Sequence, residues 1–156
     1  METSEKQAYM LMAHQCNEMF WTLLRMLDAP WNDIFIHMDS KNENYQPETV
    51  ERYVKYAKVF HAKRHSVVWG GVSQVKAELV LLKTAVAHGP YQHYHLISGV
   101  DLPIQTQEDI RAFLRQTQTW NLSISTRTRS AHSTMSAFIT GTFSRISICA
   151  AIRCSA

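Results

Sequence analysis

The sequence predicts an α/β protein built on an open, mostly parallel sheet with helices on both faces. Three observations carry that expectation. Short apolar runs of strand length alternate with segments of helical period, in the order β-α-β-α-β-β-α-β-α. The strand runs are apolar nearly throughout, as expected where both faces of a sheet are covered. Glycine and proline punctuate the boundaries, most clearly at Gly70-Gly71 and Gly89-Pro90.

Each element has its own local reason. Ala8-Tyr-Met-Leu-Met-Ala13 is the first buried strand. A helix is predicted over 16–28, because Met19, Phe20, Leu23, Leu24 and Leu27 share one face and Pro30 marks the stop. Asp33-Ile-Phe-Ile-His-Met-Asp39 is the second strand. Pro47 suits a first helical position, where its missing N–H is unneeded, and opens a helix to about Tyr56. Lys58-Val-Phe-His61 is a weak third strand and Ser66-Val-Val-Trp69 a short fourth. After the glycine pair a long helix runs to about His88. Val72, Val75, Leu79, Leu82 and Val86 recur at three and four along it and mark its expected inward face. Gly89-Pro90 ends it. A strand over 91–98, the loop Gly99-Val-Asp-Leu-Pro103 and a final helix to about Arg115 follow. Thr106 and Asp109 have capping-box spacing for that last helix.

Composition bounds the class. At 156 residues, 46% hydrophobic and 19% charged, the chain suits one globular domain. No apolar run approaches the roughly 20 residues that span a bilayer. Met1-Glu-Thr-Ser-Glu-Lys-Gln7 lacks the basic-then-apolar order of a signal peptide. The expectation is a cytoplasmic protein without stable membrane insertion, a membrane-peripheral placement being the alternative. The cysteines are Cys16, Cys149 and Cys154; an odd count without C-x-x-C argues against a disulfide framework or zinc site, and Cys16 reads as a small half-buried hydrophobe. The net charge of +3 is unevenly placed. Through Gln118 there are 12 basic residues against 13 acids, a balance of −1, and the remainder holds 4 arginines and no acid. The surplus is therefore no nucleic-acid footprint of the fold, and no nucleic-acid partner is expected.

In open parallel sheets ligands bind at the carboxyl ends of the strands. Those ends are His14, Asp39, Trp69-Gly70-Gly71 and Gly99-Val-Asp101. There is no G-x-G-x-x-G after the first strand and no Walker A lysine motif, which disfavours a dinucleotide enzyme or P-loop NTPase. His14 suits hydrogen bonding to a base or ribose, or capping of the next helix. Asp39 can accept ribose hydroxyls and Lys41 can meet a phosphate; the alternative is a turn-forming Asp beside a solvated Lys. Trp69 offers a stacking face for a base or sugar, or a core tryptophan at a helix start. Asp101 can orient a sugar hydroxyl or hold its loop through backbone N–H groups. The chain has no Asp-x-Asp, so a divalent metal site is not expected.

Four segments together resemble the core-2/I-branching N-acetylglucosaminyltransferases, glycosyltransferase family 14, a group that includes peptide O-xylosyltransferases. They are Ala8-Tyr-Met-Leu-Met-Ala-His14, Ile36-His-Met-Asp-Ser-Lys41, Val68-Trp-Gly-Gly-Val-Ser-Gln-Val-Lys-Ala-Glu-Leu79 and Tyr94-His-Leu-Ile-Ser-Gly-Val-Asp-Leu-Pro-Ile104. Each is weak alone; four in order over about 8–114 are specific. The resemblance implies a GT-A-like, Rossmann-like fold and a UDP-sugar donor. It implies inverting transfer of GlcNAc, or xylose, to a hydroxyl of a glycan or polysaccharide acceptor, with no metal cofactor. It implies donor contacts at Met12, Ala13, His14, Asp39, Ser40, Lys41 and Trp69, and a loop-shaping or sugar-orienting role for Asp101. Trp69 replaces the tyrosine of animal members, keeping a stacking face without the phenol. The absence of an anchor resembles the bacterial members. The family's general base is a glutamate after the Gly99–Pro103 loop. No counterpart is found, so the chain is expected to be the front part of the domain, with weak or no transfer.

The expected division is therefore 1–118 as the nucleotide-sugar-binding part and 119–156 as a tail. From Thr119 the composition turns to Ser, Thr, Arg, Ile and Ala, without acid or lysine. A disordered basic linker is one reading; out-of-frame translation is another, since the codons of Trp120-Asn121 read one frame over force a glutamate. Two other function classes stand beside the enzyme: a non-catalytic nucleotide- or sugar-binding module, and an RNA binder using the arginine-bearing tail.

Overall fold

The computed structural model describes residues 5–116 and the pair 146–147. Five strands, β1 (Gln7–Ala13), β2 (Asn32–Met38), β3 (Lys58–His61), β4 (His93–Ser98) and β5 (Ile146–Ser147), form one sheet in the order β3-β2-β1-β4-β5. Every pairing is parallel. The helices are α1 (Glu18–Leu27), α2 (Pro47–Tyr53), α3 (Val72–His88) and α4 (Gln107–Gln116). The predicted class stands: a Rossmann-like α/β sheet covered on both faces. The expected 119–156 tail lies outside the described residues apart from β5.

Strand alternation divides the core in two. Tyr9, Leu11 and Ala13 of β1 and Ile34, Ile36 and Met38 of β2 point to one face. There they meet Phe20, Leu23, Leu24 and Leu27 of α1 and Val50 of α2. Asn17 caps α1 by accepting the Phe20 N–H at 3.0 Å, and the predicted apolar face of that helix is the buried one. Cys16 packs half-buried against this cluster, as expected. The opposite face carries Ala8, Met10, Phe35 and Tyr94 against Leu81 and Ala85 of α3.

Three expectations are corrected. The inward face of α3 is Ala77, Leu81 and Ala85. Val72, Val75, Leu79 and Val86 of the predicted stripe are exposed, and Leu82 is partly buried. The sheet layer beneath α3 is already filled by the stacked rings of Phe35 and Phe60 and by Tyr94, so the helix approaches through two alanines, one on either side of a single leucine. Ser66–Trp69 is not a strand. Its N–H groups are taken by side chains, Val67 by Asp39 Oδ2 at 3.3 Å and Val68 by Ser73 Oγ at 2.8 Å. α2 stops at Tyr53 rather than Tyr56. The Asp28 carboxylate accepts the N–H groups of Lys55, Tyr56 and Ala57 at 2.8–2.9 Å, drawing that turn out of helix. Pro47 does open α2, and Thr106 does cap α4 by accepting the Asp109 N–H at 3.1 Å, but the Asp109 carboxylate takes the Thr106 hydroxyl at 2.7 Å, so only half of the expected capping box is formed.

Candidate functional site

A cavity of about 1050 Å³ opens at the carboxyl ends of β1, β2 and β4. The chain leaves β1 for β2 on one side, while β4 lies on the other, so the cavity sits at the switch point of the sheet. Its back edge depends on a close approach. The Gly99 N–H donates to the Met12 carbonyl at 2.7 Å, and a Cβ at Gly99 would stand 2.7 Å from Ala13 Cβ and 3.1 Å from Ala13 Cα. Only glycine fits there.

The structure brings six of the eight expected residues to this cavity: Met12, Ala13, His14, Asp39, Lys41 and Trp69 all line it. His14 is exposed and does not cap α1, a task that falls to Asn17. Trp69 is 83% exposed, so the indole is a wall of the site and not core. Gly70, with φ of 72°, turns the chain into α3 just after it. Ser40 is exposed, outside the lining set, with its N–H donated to the His65 carbonyl at 3.2 Å. Asp101 is also outside it. Its Oδ2 accepts the Ser98 N–H at 3.2 Å, which is the loop-holding geometry, and Ser98 and Val100 face the cavity instead.

Asp39 is a clamp. Buried to 6% exposure, its carboxylate accepts the Lys41 N–H at 2.9 Å and the Val67 N–H at 3.3 Å, with Lys41 Nζ 3.5 Å away. Burial alone would raise its pKa; the two backbone donors and the ammonium outweigh that and hold it below the ordinary carboxylate value. Lys41 Nζ also donates to the Val67 carbonyl at 2.7 Å. Arg64 completes the wall from behind. Its guanidinium donates to the carbonyls of Met38, Asp39 and Asn42 and lies over the Tyr45 ring. The turn after β2 and the segment before α3 are thus fastened together without a strand between them.

Sequence reasoning missed several lining residues, among them Cys16, Asn17, His37, Asn42 and Gln74. The available signal for His37 is a polar residue inside an otherwise apolar strand. Burial, then the nearby His65, pushes the His37 pKa down. Asn17 and Gln74 place the amino-terminal ends of α1 and α3 at the rim, where the helix dipole favours an anion. Among the described residues no group of three or more His, Cys, Asp or Glu side chains converges as metal ligands would. Among them, too, no helix is long and apolar enough to cross a membrane.

A parallel sheet whose carboxyl edge opens on a cavity at its switch point, rimmed by two helix amino termini, defines a Rossmann-like α/β protein. The family model for the Core-2/I-Branching enzyme matches residues 7–136, and the chain belongs to that family. It is similar to a probable beta-1,3-galactosyl-O-glycosyl-glycoprotein beta-1,6-N-acetylglucosaminyltransferase 7 of Sus scrofa, 32% identical over 118 residues, 73% of this chain and 27% of the relative. It is also similar to a Mus musculus N-acetyllactosaminide beta-1,6-N-acetylglucosaminyl-transferase, 29% identical over 74% of this chain and 30% of the relative. A human beta-1,3-galactosyl-O-glycosyl-glycoprotein beta-1,6-N-acetylglucosaminyltransferase is 34% identical over 66% of this chain and 25% of its own length. The chain thus spans between a quarter and a third of these curated relatives.

Proposed function

We propose that the described residues form the donor site of a glycosyltransferase that transfers GlcNAc from UDP-GlcNAc to a glycan hydroxyl, with inversion and without a metal ion, on a GT-A-like fold. One observation carries the reading. The four family-like segments, scattered over 8–104, meet at one cavity: Met12, Ala13 and His14 from the first, His37, Asp39 and Lys41 from the second, Trp69 and Gln74 from the third, Ser98 and Val100 from the fourth. The names of the similar proteins favour GlcNAc over xylose.

The chemistry of the wall suits a nucleotide diphosphate sugar. The exposed indole of Trp69 offers a stacking face. Lys41 and the two helix termini supply positive potential for a diphosphate. Asp39 acts mainly by holding Lys41 and Val67, since its carboxylate already accepts from both. Inverting transfer also needs a carboxylate to take the acceptor proton; the proposal assigns it to a glutamate following the Gly99–Pro103 loop in the family's domain.

The test is calorimetric titration of the folded protein with UDP-GlcNAc, alongside UDP-xylose. Binding of UDP-GlcNAc that Asp39→Ala weakens at least about tenfold, or ~1.4 kcal/mol, is expected. Equal or tighter binding of UDP-xylose would move the sugar assignment. No binding of either by a folded sample sinks the donor-site reading.

A further inference from the structure

At the cavity wall two histidines pair across the fold. His37, on β2, places Nε2 3.1 Å from His65 Nδ1, with the rings edge to face at 4.5 Å between centroids. His65 Nε2 lies 2.9 Å from the Ser73 carbonyl oxygen in the first turn of α3. A carbonyl only accepts, so the neutral ring of His65 carries its proton on Nε2 and offers Nδ1 as an acceptor. His37 Nε2 is then the donor. The pair has one consistent proton order, running from β2 through His65 to α3.

The same turn of α3 holds the Trp69 segment. Ser73 Oγ accepts the Val68 N–H at 2.8 Å, and Gln74 Oε1 accepts the Gly70 N–H at 3.2 Å. Trp69 lies between those two fastened amides. The His65 carbonyl meanwhile accepts the Ser40 N–H at 3.2 Å, tying the relay to the turn that carries Asp39 and Lys41. A continuous set of hydrogen bonds therefore joins the rigid interior strand to an indole that has almost no packing of its own.

We propose that His65 is a positioning residue for the cavity: paired with His37, it fixes the first turn of α3 and thereby where the Trp69 indole stands against the ligand. This rests on reading the cavity as the UDP-GlcNAc site. His65 touches no ligand in this scheme; it acts through Ser73, Val68 and Gly70. Polar order matters here more than bulk, so a glutamine, which offers one amide donor and one acceptor, is expected to replace it and a leucine is not.

The experiment compares the parent protein with His65→Leu and His65→Gln. Calorimetry with UDP-GlcNAc is expected to show a dissociation constant raised about tenfold in His65→Leu and restored to within about threefold of the parent in His65→Gln. Amide hydrogen exchange at Val68 and Gly70 is expected to speed up in His65→Leu alone, with the amides of β1 unchanged. If His65→Leu does not fold, His65→Asn, too short to reach Ser73, carries the same expectation. Equal affinity and exchange in all variants overturns the proposal, and so does equal weakening by leucine and glutamine. If the parent fails to bind UDP-GlcNAc, the donor-site reading falls by itself. The positioning role is then decided by the exchange data: faster exchange at Val68 and Gly70 in the leucine variant, restored by glutamine, upholds it, and no difference overturns it.

Discussion

The two ends of the sheet use polar side chains in opposite ways. Toward the amino end they bond to one another across elements. Lys6 pairs with Asp33 at 2.7 Å and Tyr91 donates to the same carboxylate at 2.8 Å. Gln7 meets Gln92 and His95, each at 3.1 Å. Tyr9 and Asn32 both donate to Gln107 Oε1 at 3.0 and 2.8 Å. At the carboxyl end Asp39, Lys41 and Arg64 bond chiefly to loop backbone. Side chains that satisfy each other close a surface. Side chains that satisfy loops hold those loops apart and leave a cavity between them. The amino end is therefore closed by its polar side chains, and the carboxyl end is left open at the proposed donor site.

The largest expected effect tests that division from the amino end. Asn32 is fully buried, and its Nδ2 donates to the Leu27 carbonyl at 2.9 Å as well as to Gln107. Asn32→Ala removes both bonds from a buried site, although the Leu27 carbonyl keeps the Ala29 N–H and Gln107 Oε1 keeps the Tyr9 hydroxyl, and is expected to cost about 2–3 kcal/mol in denaturant unfolding. Affinity for UDP-GlcNAc, measured on the folded fraction, should change less than about twofold; a larger loss would join the two ends into one unit.

Acid should also weaken the amino end. His95 is buried, with its pKa pushed down to about 3 by desolvation and then by His93. Unfolded, it would titrate near the ordinary value of about 6.5. As pH falls through that window the unfolded state binds the proton and the folded state does not, so stability is full above about 6.5 and declines below it. Two effects add to it in the same direction, from the lowered pKa values of His37 and His61. At pH 5 the loss from His95 is on the order of 2 kcal/mol. Urea melts at pH 7 and pH 5 should show it, and His95→Gln should shrink the difference; an unchanged difference would mean that His95 protonates in the folded state.

At the carboxyl end Gly99→Ala is expected to cost about 1–2 kcal/mol, because the new methyl meets Ala13 at 2.7 Å. Here the ligand should feel the change as well as the fold. Separating β4 from β1 opens the back of the cavity, so calorimetry should show UDP-GlcNAc affinity falling several-fold. A variant that melts lower yet binds equally would show that this edge is structural only.

How much of this was legible in the sequence differs between α1 and α3. In α1 the apolar stripe is single, so the period and the buried face agree. α3 carries apolar residues around most of its circumference, and periodicity cannot say which of two stripes the sheet wants. The choice fell to Phe35, Phe60 and Tyr94, residues on distant strands. The false strand at 66–69 has a related cause, since its alternatives were side chains as far away as Asp39. For the site, the strand-end rule locates His14 and Asp39, with Lys41 beside it, because it depends on topology alone; Trp69 follows from it only through the false strand at 66–69, and Met12 and Ala13 come from the family resemblance. His37 and His65 escaped it, as their meaning lies in each other across 28 positions.

The smallest expected effect separates family-implied contacts from those the cavity makes. Ser40 stands between two lining residues, Asp39 and Lys41, but is exposed and off the wall. Only its backbone N–H is used, by the His65 carbonyl, and alanine keeps that group. Ser40→Ala should therefore shift stability by less than about 0.5 kcal/mol. UDP-GlcNAc affinity should stay within about twofold. A clear loss of affinity with unchanged stability would mean that the hydroxyl reaches the ligand, and that the turn after β2 moves inward when the donor binds.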